Sequence, residues 1–116
     1  LMFINSHGKG FGMTVESGNA VAVQWGYGNY CENKFENREE IFGKREVNLG
    51  EWQLKCKDAE VAAWDAEGNW YDWGCDTVKG YNSPDFVAQF IHFVATSNLQ
   101  EDVFEWEDKT TQGEDQ

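Results

Sequence analysis

From Phe11 the chain alternates in steps of two: Phe11, Met13 and Val15 are separated by Gly12, Thr14 and Glu16. A second run over residues 20–25 sets Val21, Val23 and Trp25 on one face. Side chains on a strand point to opposite faces in turn, so this period of two predicts two half-buried strands. Ser17-Gly18-Asn19 lies between them, and Gly-Asn offers the positive-φ positions of a tight turn. The pair therefore reads as an antiparallel hairpin. Met2-Phe3-Ile4 reads as a short further strand, and Gly8 and Gly10 around Lys9 make the intervening piece a bend or a glycine-softened strand start.

The pattern weakens from Gly26 to Gly50. Gly26-Tyr27-Gly28-Asn29-Tyr30 is turn-like, and residues 31–40 are polar, a surface connection pinned by Phe35 and Ile41-Phe42. Alternation returns at Trp52, Leu54 and Cys56, which predicts a strand with one wet face. Residues 60–65 and 70–73 read as the arms of another hairpin across Ala66-Glu67-Gly68-Asn69. Asp65 is placed to accept backbone N–H groups there, and Gly68 or Asn69 to take the left-handed conformation. That hairpin would bring Trp64, Trp70 and Trp73 near one another in the sheet.

Near Ser83 the period changes to three and four. Ser83 suits a cap, Pro84 the first helical position and Asp85 the positive end of the helix dipole. Phe86, Val87, Phe90, Ile91 and Val94 form an apolar stripe with Phe93 at its edge, while Gln89, His92 and Thr96 fall opposite. Thr96-Ser97-Asn98 ends the pattern. Val103, Phe104 and Trp106 then read as an edge strand or a docking segment. A helix this one-sided must lie on an apolar surface, so the predicted class is α+β: an antiparallel sheet built from hairpins with one C-terminal amphipathic helix packed on it. Residues 1–106 make one compact domain, and residues 107–116 an acidic tail with no apolar anchor, expected to fray.

Composition adds partners to the picture. The chain has 116 residues, 41% of them hydrophobic and 16% aromatic, enough for a core made of few large pieces. It carries 21 acidic and 9 basic side chains, and seven of the acids lie in residues 101–116. A net charge of −12 repels a phosphate backbone, which argues against direct nucleic-acid binding, and it is as unsuited to an anionic membrane. It attracts basic proteins. No apolar run reaches the length needed to span a bilayer. Cys31, Cys56 and Cys75 are an odd number at wide spacing, which predicts reduced thiols and a cytoplasmic setting. Leu1 precedes Met2, which fits either a natural start at Met2 or an internal fragment.

Motifs for chemistry are weak. Asp65-Ala66-Glu67-Gly68-Asn69 has its glycine too early for a calcium loop, and Asp76 stands where such a loop wants a bidentate Glu. The cysteines are too widely spaced for a zinc knuckle, and His7 and His92 are the only imidazoles. His92 falls on the wet helix face, His7 beside flexible glycines, and Cys56 reads as an inert core residue; Cys31 and Cys75 flank aromatic turns. Gly8-Lys9-Gly10-Phe11-Gly12 lacks the phosphate-loop sequence and leads into a strand. No metal, cofactor or catalytic residue is expected, and the chain reads as a binding protein more readily than as an enzyme.

The aromatic set is more informative. Tyr27, Tyr30, Trp70, Tyr71 and Trp73 gather at strand ends and turns, where Tyr and Trp serve as interface anchors within an acidic rim. These five are the expected interaction surface, for a basic protein partner. The alternatives are a small-ligand-binding domain or enzyme with an aromatic-lined pocket, and an oligomeric structural component built on self-association. The opening Phe3-Ile4-Asn5-Ser6-His7-Gly8-Lys9-Gly10-Phe11-Gly12-Met13-Thr14, with Val23-Gln24-Trp25-Gly26-Tyr27-Gly28-Asn29-Tyr30-Cys31, Ala62-Ala63-Trp64-Asp65 and Val78-Lys79-Gly80-Tyr81, resembles small uncharacterised proteins carried by phages and other mobile elements. That resemblance implies an interaction or host-inhibition role and carries no active-site residue with it.

Overall fold

The computed structural model describes residues 1–34 and 55–107. The expectations for Phe35, Ile41-Phe42, Trp52 and Leu54, and for the tail beyond residue 107, lie outside the described residues. Among the described residues five strands, β1 (Met2–Asn5), β2 (Gly10–Thr14), β3 (Ala20–Gln24), β4 (Ala59–Trp64) and β5 (Lys79–Asn82), precede the helix α1 (Pro84–Thr96). They form one antiparallel sheet in chain order.

The register follows the alternation. Phe11 faces Val23 and Met13 faces Val21 across β2 and β3, and Val21 and Val23 face Ala63 and Val61 on β4. All six therefore project from one side. Helix α1 lies over that side and buries Phe86, Val87, Phe90 and Val94. Each such side chain removed from water contributes about 1.5–3 kcal/mol before the entropy of ordering it is subtracted.

Both helix ends are closed by side chains. Ser83 Oγ accepts from Phe86 N at 3.2 Å, the expected cap. At the far end the last carbonyls lack intrahelical partners, and no basic residue stands in the last turn. Asn19 fills the gap: its Nδ2 donates to Val94 O at 3.0 Å and to Ser97 O at 2.9 Å. Asn19 therefore does not supply a positive φ to the β2–β3 turn; Gly18 does so alone, at 95°.

Three further expectations need correcting. Of the second arm at residues 70–73, only Trp70 bridges to Trp64, and Tyr71 N donates to Ala63 O at 2.7 Å. The chain then leaves the sheet, and Trp73 packs on the helix instead, with its ring 4.7 Å from that of Phe90. Cys56 lies in irregular chain just before β4, not in a strand. Strand β5 was missed altogether: it is short, Tyr81 adopts φ 59°, and a bulge interrupts its pairing near Ala59 and Val61. Glycine is required at position 80, where an added Cβ would sit 2.8 Å from Tyr30 O. Val103, Phe104 and Trp106 form no strand; Phe104 and Trp106 dock on Phe86.

Candidate functional site

The strand-to-helix arrangement sets two corners apart. Helix α1 starts just after Asn82, which pairs with Ala59, and ends where Asn19 holds it, next to the pairing of Ala20 with Trp64. Residues 70–74 and 99–104 pack along it and leave a groove of about 550 Å³ between them. Its floor is aromatic. Tyr71 is buried, its ring 5.8 Å from Phe90 and 5.0 Å from Trp73, and its hydroxyl accepts from Phe104 N at 2.9 Å. Trp73 packs edge-on against Phe104, and its Nε1 is buried without a hydrogen-bond partner.

The rim is acidic. Asp72, Glu101 and Asp102 line it with Trp70, which is 48% exposed. Asp72 Oδ1 accepts from Gly74 N and Asp102 Oδ2 from Asn98 N, each at 2.7 Å, so both carboxylates are held by backbone. Between Asp58 and Glu107 the chain carries eleven carboxylates against a single Lys79. Among the described residues none of the groove's acids forms an ion pair; the pair that does form is Lys57 with Glu32, at 3.7 Å, in the other corner.

Three of the five aromatic residues expected to form an interaction surface, Trp70, Tyr71 and Trp73, thus line one groove, although Tyr71 is floor and not rim. Tyr27 and Tyr30 are exposed but lie beyond Gln24 and Glu60, at the opposite ends of β3 and β4 from Trp64 and Trp70. Tyr30 N donates to Glu60 Oε2 at 2.8 Å, and Lys34 Nζ stands 5.3 Å above the Tyr30 ring. They belong to a second corner of mixed charge.

That second corner holds a cluster the sequence did not announce. The Sγ atoms of Cys31 and Cys56 and a carboxylate oxygen of Asp58 all lie within 4.8 Å of one another. Cys31 is buried and its Sγ donates to Gly26 O at 3.4 Å; desolvation pushes its thiol up to about 12. Cys56 Sγ donates to Asp58 Oδ1 at 3.4 Å, and Glu32 N donates to the same oxygen at 2.7 Å. Beside the cluster runs a groove of about 420 Å³ lined by Phe11, Trp25, Cys56, Asp58, Val87 and Ile91. The third thiol, Cys75, is exposed and stands apart.

At the expected turn Asp65 Oδ1 accepts from Glu67 N and Asn69 N, each at 2.9 Å, and the backbone hydrogen bonds, that from Asn69 above all, hold its pKa below the usual carboxylate value. No helix among the described residues is long and apolar enough to cross a membrane. Set against protein-family models, curated proteins and solved structures, the chain matches none of them. The reading of function therefore rests on the geometry of its two corners.

Proposed function

We propose that the chain is a non-catalytic binding protein that takes a Lys- or Arg-bearing segment of a basic protein partner into the groove between residues 70–74 and 99–104. The observation that carries this reading is the exposed face of Trp70 beside Asp72, Glu101 and Asp102, in a stretch of chain with almost no opposing cation. A cation over a Trp face and beside carboxylates gains from both the ring quadrupole and the charge. Backbone hydrogen bonds hold two of the three carboxylates in place beforehand, which lowers the entropy lost on binding. Tyr71 and Trp73 shape the floor, and their link to Phe90 ties the groove to the core. The resemblance to proteins of phages and mobile elements accords with an interaction role, including host inhibition.

A fluorescent oligoarginine peptide titrated onto the protein tests the reading. Binding is expected to weaken with added salt, and to weaken in Glu101→Gln and Trp70→Ala while Glu16→Gln leaves it unchanged. Binding that ignores salt, or that survives both groove substitutions, would remove the groove as the site.

A further inference from the structure

The cluster at the second corner has the composition and proximity of a cation site. Two sulfurs and one carboxylate are soft-to-borderline donors, the set that zinc-class ions take in preference to calcium or magnesium. A tetrahedral zinc centre with Zn–S about 2.3 Å places its sulfurs about 3.8 Å apart. Donor atoms that already lie within 4.8 Å of one another need only small side-chain rotations to close on an ion.

The surroundings hold the donors from outside. Glu32 N fixes the Asp58 carboxylate, and Asn33 Nδ2 donates to both Trp25 O and Lys55 O, joining the segments that carry Cys31 and Cys56; the Cys31 Sγ–H bond to Gly26 O is given up when the thiol loses its proton. Such outer contacts are what set ligand geometry at metal centres. Charge also balances. Two thiolates, one carboxylate and a divalent ion leave one net negative charge, and Lys55 and Lys57 lie in the same stretch, with Lys57 already paired to Glu32. The fold brings the two widely spaced cysteines to one place, with the Cys31 side of it buried.

We infer that Cys31, Cys56 and Asp58 bind a divalent cation of the zinc class, with the fourth coordination position left to solvent. Cysteine ligates such an ion as the thiolate, so binding displaces protons. Three protein ligands with one open position leave the metal able to accept a further donor, here beside the apolar groove lined by Phe11 and Trp25.

The test uses the reduced, metal-free chain titrated with Co²⁺. One equivalent is expected to give a thiolate-to-cobalt charge-transfer band, which Zn²⁺ abolishes by displacement. Cys31→Ser and Cys56→Ser should each lose the band, Asp58→Asn should weaken cobalt binding at least about tenfold, and Cys75→Ser should keep it in full. A second measurement needs no variant: Zn²⁺ should protect the half-buried Cys56 from alkylation in the native chain while the exposed Cys75 is modified at its usual rate. No band in the reduced protein, a band that persists without Cys31 or Cys56, or alkylation of Cys56 unaffected by Zn²⁺ would each overturn the assignment.

Discussion

The groove at residues 70–74 and 99–104 and the corner at Cys31 and Cys56 are built on the same sheet in opposite ways. The groove stands on the ring contacts of Tyr71 and Trp73 with Phe90 and Phe104, and the charged side chains lining it are all acidic. The cysteine corner is held by hydrogen bonds between turns, and its acids, Glu32, Asp58 and Glu60, stand among Lys34, Lys55 and Lys57. A surface of one sign that rests on the core is a place to receive a partner of opposite sign; a mixed and internally bonded one is a place to hold small things still. The difference teaches that the net charge of the chain does not describe its surface.

The contrast breaks most sharply at Phe90, which is fully buried and touches Tyr71, Trp73, Phe93 and Phe104. Phe90→Ala should cost about 3–5 kcal/mol in urea unfolding and abolish peptide binding with it, since floor and core are the same atoms. Tyr71→Phe leaves the ring and removes only the acceptor for Phe104 N, so a loss of about 1–2 kcal/mol and loosened docking of residues 99–104 is expected by hydrogen exchange. A loss as large as that of Phe90→Ala would show that the hydroxyl, not the ring, holds the groove.

The stability of the cysteine corner should respond to alkaline pH. Cys31 is pushed from 9.0 up to about 12 by burial, so the unfolded chain gives up this proton first as pH rises. Its contribution is therefore intact below pH 9 and is lost between 9 and 12, and Cys31→Ser should flatten that part of the stability profile. The smallest effects sharpen the comparison at its surface. Glu101→Gln should change stability by less than about 0.5 kcal/mol while weakening peptide binding. Lys57→Gln removes an exposed ion pair, for about 0–1 kcal/mol and no effect on the peptide.

Much of the architecture was legible because local pattern and tertiary need agreed. The hairpin at Phe11 to Val23 and the helix after Ser83 each had a periodicity, a turn or cap, and one apolar side that the other could cover. Strand β5 was invisible since Lys79-Gly80-Tyr81-Asn82 has no alternation; its place is fixed by the close approach of Gly80 to Tyr30 and by Asn82 Nδ2 donating to Ala59 O at 2.9 Å. Trp70, Tyr71 and Trp73 were visible as a set, but sequence could not separate rim from floor, because that depends on where the chain leaves the sheet. The cysteine cluster depends on the antiparallel pairing of β3 with β4, which returns Cys56 to Cys31 across 25 positions of sequence. Only a register for that pairing, read before any motif search, would have found it.

The amide of Asn19 spans 75 positions of sequence to reach Val94 O. One residue thus closes both a reversal between two strands, through its backbone carbonyl, and the final turn of the helix, through its side-chain amide, so neither can fray by itself without stranding the other's polar groups. Strands β2 and β3 and helix α1 should consequently melt as one cooperative unit, and a nick or substitution at either place will be felt at the other.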